Sequence, residues 1–371
     1  MKVVTVLGTR PEIIRLSRVL PKLQDNFDHV LVHTGQNNNP KLSEIFFSEL
    51  GLGVPDVFLG IDTSTLAASF SATMLGVEKV FREEKPDAVL ILGDTNSSVA
   101  AIIAERMRIP VYHLEAGNRA FDRNIPEELN RRMIDHVSTF NLVYTEHARR
   151  NLISEGMHPR FVFKTGSPLP EVFQHFEPQI RSSKVLSKLE LTEREFFLAS
   201  LHRQENVDNP HKLLRTMNAL SDLAETWNLP VILSVHPRTK SRLDSLNQTF
   251  SSKLAYHEPF GYFDYCFLQI SATCVISDSG SIAEEASSMN FPAVSFRDSI
   301  ERPEALEEAS LVLSGTVSSH LLESVSYVTK MWSQTTIPED YKISDFSSRV
   351  LSVLLSTGYK YREWSNLTRE A

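Results

Sequence analysis

Short apolar runs alternate with helix-like stretches along the chain, and the alternation begins twice. Lys2 to Leu7 is a β-rich run ended by Gly8, and Pro11 to Leu23 reads as a helix after it. His29 to His33 forms a second strand, and helical stretches follow at Leu42 to Leu50 and Leu66 to Glu84. Ala88 to Leu92 is a strand closed by Gly93-Asp94, Ser97 to Met107 is helical, and Val111 to Leu114 is a further strand. The pattern restarts with strands at Phe196 to Ser200, Val231 to Val235, Leu254 to His257, Cys274 to Ser277 and Ala293 to Phe296. Helices at His211 to Thr226 and Ser281 to Ser288 lie between them. Such alternation predicts parallel sheets covered by helices on both faces, here in two successive Rossmann-like domains.

Length agrees with two domains, because 371 residues exceed what one ordinary core accommodates. Three prolines between Gly166 and Pro178 mark the linker. The expected domains are 1–168, joined by an amphipathic C-terminal segment at 345–371, and 169–344. A net charge of −8 argues against a general nucleic-acid binder, which needs a Lys/Arg excess, but leaves room for a small anionic ligand. The chain reads directly into a strand, and no apolar run approaches the roughly 20 residues that span a bilayer. A soluble, cytoplasmic protein without a membrane partner is expected. Cys266 and Cys274, placed in a strand-like stretch, read as buried reduced thiols.

In open parallel sheets, ligands bind beyond the carboxyl ends of strands, and the unusual residues fall there. Gly8-Thr9-Arg10-Pro11-Glu12 combines a tight turn, a helix N-terminus that favours an anion, and a guanidinium able to grip a diphosphate. A surface arginine beside a turn is the plain alternative. Ser279-Gly280-Ser281 opens a second helix in the manner of an anion nest, with Glu284 or Glu285 placed to reach ribose hydroxyls. Solvated glutamates on a capped helix would look the same.

Asp94, Glu115 and Glu127 follow strand or loop ends in the first half, and His202 and His236 follow strands in the second. Singly, each is more often a capping or surface group. Five together favour acid–base work in one cleft. A metal is the rival use, yet none of these five stands in an H-x-H or H-x-x-x-H pair. Glu127 and Arg131, four apart on a helix opened by Pro126, should form an i,i+4 pair. The aromatic cluster of Phe260 to Phe267 reads first as core and second as a base-stacking surface.

Eight stretches, in order, resemble the non-hydrolysing UDP-N-acetylglucosamine 2-epimerase family. They are GTRPEIIR from Gly8, GDTNS from Gly93, HLEAGNR from His113, PEELNRR from Pro126, HRQEN from His202, HPR from His236, SDSGSIAEE from Ser277 and ERPEA from Glu301. The resemblance implies two domains of the glycosyltransferase-B type facing across a cleft, a C-terminal helix returning to the first domain, and a homodimer. It also implies a reaction that needs neither metal nor nicotinamide cofactor. A base takes the C2 proton of a UDP-sugar while UDP leaves C1, and re-protonation and re-addition of UDP complete the epimerisation.

Carried over by motif, Asp94, Glu115 and Glu127 are the acid–base carboxylates, Arg131 pairs with that group, and His202 assists UDP departure. Arg10, Ser279, Gly280 and Ser281 are implied to hold the diphosphate, Arg15 to belong to the substrate- and UDP-binding set, Glu285 to hold the ribose, and His236 and Arg302 to make further polar contacts. Some positions depart from the common pattern: Arg15 stands where Lys is usual, and Ser281 replaces a second Gly. LEAGNRAFD, PEELNRRMIDH, YTEHARRNL, KTGSP and HRQENVDNP resemble the branch that makes UDP-N-acetyl-L-fucosamine for capsule and O-antigen.

Overall fold

The computed structural model describes the chain except residues 37–39, 202–206, 236, 247, 333–335 and 365–371, and the side chains of 40–44 and 237–238. It separates into two compact units, Met1–Val172 with Ile343–Ala371, and Phe173–Lys342.

The first unit is built on seven parallel strands: β1 (Lys2–Leu7), β2 (Asp28–His33), β3 (Val57–Phe58), β4 (Ala88–Leu92), β5 (Val111–Ala116), β6 (Phe140–Val143) and β7 (Val162–Lys164). Their order is β3-β2-β1-β4-β5-β6-β7, so the direction of winding reverses between β1 and β4. The helices are α1 (Arg10–Leu16), α2 (Val19–Asn26), α3 (Pro40–Glu49), α4 (Leu66–Glu84), α5 (Ala100–Arg106), α6 (Pro126–Val137) and α7 (Glu146–Ser154). Val4, Val6, Val89, Ile91 and Val111 pack one face of the sheet against Val77, Phe81, Ala101, Ala104 and Ile134. The late helix Phe346–Thr357 belongs to this unit and packs on α2. Tyr112 on β5 shares a hydrogen bond of 2.7 Å with its Thr357.

The second unit carries six parallel strands in the order β10-β9-β8-β11-β12-β13. They are β8 (Phe197–Leu201), β9 (Val231–Val235), β10 (Leu254–His257), β11 (Cys274–Ser277), β12 (Ala293–Ser295) and β13 (Val312–Leu313). Period-two alternation sends Phe197, Ala199 and Leu201 into one core, with Leu213, Met217 and Leu220. Phe196 and Leu198 enter another, with Leu268, Ile282 and Ala286. Two cores on one set of strands mean that both faces of this sheet are covered.

Several local expectations change. Pro11 to Leu23 is not one helix, because it breaks between Leu16 and Val19. The proline-rich stretch after Gly166 is not an open linker but a helix, α8 (Leu169–Arg181). Pro170 sits in its first turn, where no intrahelical N–H is needed, and Pro178 falls near its end. Cys266 lies on the helix Tyr262–Ser271 rather than in a strand, although both cysteines are buried as expected. That helix also absorbs most of the aromatic cluster, and Tyr265 and Phe267 on it, with Phe260 just before it, pack against the core.

Candidate active site

Three loops at the carboxyl edge of the first sheet gather the polar residues. Gly8 follows β1, and its role is one of space rather than turn geometry, since its φ is not positive. A Cβ there would overlap Thr34 Oγ1 and Ser97 Oγ, which share a hydrogen bond of 2.8 Å. Glu12, 2% exposed on α1, closes the turn. Its Oε2 accepts from the Gly8 and Thr9 amides at 2.7 Å each and from Thr9 Oγ1 at 3.1 Å. Its Oε1 accepts from Thr95 Oγ1 at 2.7 Å, tying the loop after β1 to the loop after β4. Burial raises the pKa of this carboxyl, and the four hydrogen bonds oppose that shift. Arg10 remains partly exposed, with its guanidinium 5.3 Å from the centre of the Phe46 ring.

Asp94 comes next after Gly93, whose φ of +71° favours glycine. Arg131 reaches it from α6, with Nε 2.9 Å and Nη2 2.7 Å from Asp94 Oδ2. Asn130 Nδ2 donates to the Asp94 carbonyl at 3.0 Å. Arg131 is also bonded to Glu128 Oε2 at 3.2 Å. The expected i,i+4 partner Glu127 is exposed instead. The helix turns Arg131 inward, and the buried carboxylate three residues back is its partner. Asp94 and Arg131 therefore meet as expected, whereas Glu127 shows its carboxyl to solvent.

Glu115, next to last in β5, has a φ of +67°, unusual for a residue bearing a Cβ. The β5–β6 register shifts between Leu114 and Ala116, so Glu115 is the extra residue of a bulge. Its Oε2 lies 3.1 Å from Arg15 Nη1, and Arg15 also lies 5.7 Å from the centre of the Tyr144 ring. Backbone strain of this kind concentrates where a side chain must be aimed.

In the second unit the turn after β11 is laced internally. Ser279 and Ser281 share a hydrogen bond of 2.8 Å between their hydroxyls. Ser281 Oγ donates to Glu285 Oε1 at 2.5 Å, and Gln269 Nε2 donates to Oε2 at 2.6 Å. Of the two acids open to the sequence reading, Glu284 is fully buried, 2.8 Å from Arg302 Nη2. Glu285 keeps some exposure at the start of the helix Ile282–Met289. Arg302 Nη1 donates to the Gly280 carbonyl at 2.6 Å, so this arginine braces the turn from behind. Behind it, Tyr341 donates to buried Glu304, whose pKa is raised by burial. β8 ends at Leu201 and β9 at Val235; His202 and His236, next in sequence, lie outside the described residues.

The family described as UDP-N-acetylglucosamine 2-epimerase matches residues 21–355. The chain belongs to the UDP-N-acetylglucosamine 2-epimerase family. It is a UDP-sugar 2-epimerase, an isomerase. Among solved structures, a UDP-N-acetylglucosamine 2-epimerase from Rickettsia bellii is 40% identical, with a TM-score of 0.90 over 98% of both chains. A UDP-GlcNAc 2-epimerase from Methanocaldococcus jannaschii, solved with UDP-GlcNAc and UDP, has a TM-score of 0.90 at 33% identity over 96% of this chain and all of that one. A UDP-2,3-diacetamido-2,3-dideoxy-D-glucuronate 2-epimerase from Pseudomonas aeruginosa is 33% identical, covering 87% of this chain and 91% of its own. Two parallel-sheet α/β domains of the glycosyltransferase-B type are shared with the solved epimerases.

The sequence reading had no role for Glu12, Asn130 or Glu128, all of which hold the loops in place. Glu12 carried a signal, since it stands three residues after Thr9 in the spacing of a capping box. Asn130 and Glu128 carried none beyond their place on α6.

Proposed function

We propose that the enzyme inverts C2 of a UDP-activated 2-acetamido sugar by eliminating and re-adding UDP. Asp94 and Glu115 handle the C2 proton: one carboxylate removes it as the C1–O bond breaks, and UDP departs with the bonding pair, leaving a C1=C2 glycal. Protonation of C2 from the opposite face and attack of UDP at C1 restore the sugar nucleotide with no net redox change. Glu127, His202 and Arg10 complete the set, His202 and Arg10 acting on the diphosphate. Ser279, Gly280, Ser281 and Glu285 hold the nucleotide, and Arg15 and Arg131 fix the two carboxylates. The carrying observation is that Asp94 and Glu115 stand at neighbouring strand ends, each ion-paired to a buried arginine. The C2 proton is weakly acidic, so stabilising the departing diphosphate's charge supplies much of the rate.

For the sugar, we propose UDP-2-acetamido-2,6-dideoxy-L-talose as substrate and UDP-N-acetyl-L-fucosamine as product. LEAGNRAFD and HRQENVDNP support that branch. The UDP-GlcNAc named for the M. jannaschii structure favours a second reading, interconversion of UDP-GlcNAc and its C2 epimer. Separate incubation with each sugar nucleotide, followed by chromatography of the products, tests the choice. The first reading expects a C2 epimer from the L-talo compound at a kcat/KM at least about tenfold above that for UDP-GlcNAc. The reverse ratio would overturn it in favour of the second. Free UDP and free sugar as the only products would overturn both.

A further inference from the structure

Behind the carboxylates lies a largely buried polar chain that substrate chemistry does not use. His113 on β5, 0% exposed, has its Nε2 2.9 Å from the carbonyl oxygen of Gly93. A carbonyl only accepts, so Nε2 carries the hydrogen. His113 Nδ1 faces Asp135 Oδ1 at 3.0 Å, within ion-pair distance though off the line of a hydrogen bond. Asp135, 0% exposed on α6, accepts from the Gly117 amide at 3.2 Å on each oxygen and from Arg119 Nη1 at 2.6 Å. Arg119 passes the connection on to Glu155 at 2.8 and 2.6 Å.

The chain ends on two particular glycines. Gly93 precedes Asp94, and Gly117 follows Glu115 by two residues; their φ values are +71° and +84°. Gly117 is also crowded, because a Cβ there would overlap the Ala148 carbonyl. Asp135 stands one helical turn after Arg131, which holds Asp94 directly. One face of α6 thus grips both loops, Asp94 through Arg131, and the turns at Gly93 and Gly117 through His113 and Asp135. Burial of His113, Asp135 and Arg119 excludes competing water there and makes the arrangement stiff.

We infer that His113 and Asp135 are positioning residues that set the placement of Asp94 relative to Glu115 for proton transfer at C2. The inference rests on the reading of those two carboxylates as the acid–base pair. A displacement of about 1 Å at a reacting group costs on the order of 100-fold in rate.

His113→Leu, which removes the bond to Gly93, is tested with the UDP-2-acetamido sugar that the wild type turns over. Deuterium uptake at C2 in D2O gives kcat and KM, calorimetry with UDP gives Kd, and circular dichroism follows folding. The expected result is kcat lowered about 10- to 100-fold, with KM and the UDP Kd within about threefold. His113→Gln, whose Nε2 can still donate to Gly93, should recover most of the rate. His113→Asn, polar but too short to reach, should not, and serves if the leucine variant does not fold. Wild-type kcat in both the leucine and asparagine variants, or equal losses in the glutamine and asparagine variants, would overturn the inference. Glu115→Gln is run alongside. Unimpaired exchange there removes the acid–base assignment and the inference with it, whereas lost exchange there with full rate in His113→Leu removes the inference alone.

Discussion

Replacing Glu12 tests how the site's foundation is built. Glu12→Ala would strand the Gly8 and Thr9 amides and leave the Thr9 and Thr95 hydroxyls without their acceptor. Each stranded buried backbone donor costs about 1–3 kcal/mol, and the hydroxyls can turn elsewhere. Two amides therefore give a loss of roughly 2–6 kcal/mol, with the truncated side chain adding a small cavity. Glu12→Gln keeps one oxygen for the two amides and points its NH2 at Thr95 Oγ1, a hydroxyl able to accept. Its cost should stay below about 1 kcal/mol.

The pH dependence separates the two causes further. Burial raises the folded pKa of Glu12 above its unfolded value, so the folded state holds the proton more tightly. The associated stability is complete below the unfolded pKa and is lost as pH rises through the folded one. Glu12→Gln cannot titrate and should gain on the wild type as pH increases. Urea unfolding of the first unit can be read from Trp364 in a Trp227→Phe, Trp332→Phe background, since Trp364 packs near Phe140 and Arg160. A loss under about 1 kcal/mol for Glu12→Ala, or a Glu12→Gln as damaging as the alanine, would refute the reasoning.

Gly8→Ala should cost about 1–3 kcal/mol and lower activity, because neither Thr34 nor Ser97 can retreat without losing their mutual hydrogen bond; thermal denaturation and turnover check both. His33 is held at a pKa of about 4 by burial against an ordinary 6.5. It is neutral in the fold, so the unfolded chain binds the extra proton and stability falls with pH between those values. Its share of the loss is about 2 kcal/mol by pH 5, and the acid-side loss should shrink by that amount in His33→Asn, which keeps an acceptor for the Gly35 amide while buried His29 still titrates. Glu284→Ala leaves Arg302 charged and buried without its carboxylate and should cost about 3–5 kcal/mol while weakening UDP binding, measured by urea unfolding and calorimetry.

The long strands were legible because β1, β4, β8 and β9 are mostly apolar runs of five or six residues. The strands β3, β7 and β13, of two or three residues, and β6, with Asn141 in its middle, were not. The places of these strands in their sheets come from pairing, which no local pattern encodes. Asn141 is tolerated because Nδ2 donates to the Asp135 carbonyl at 3.0 Å, a partner six residues away that appears only in the fold. Asp94 and Glu115 stood out by position after strands. The Arg15–Glu115 pair spans 100 residues, and the bulge that turns Glu115 depends on β6, so neither could be read from spacing. Glu127 misled because helical periodicity gives neighbours on a face but not which face is buried.

Incubation of the wild type and of Glu115→Gln with the preferred UDP-2-acetamido sugar in D2O, followed by NMR at C2, tests the central claim. The account predicts deuterium at C2 of the intact sugar nucleotide with the wild type. It predicts none above background with the variant, whose affinity for UDP stays within about tenfold. Exchange at the wild-type rate in the variant, or a wild type that epimerises without taking up deuterium, would contradict it.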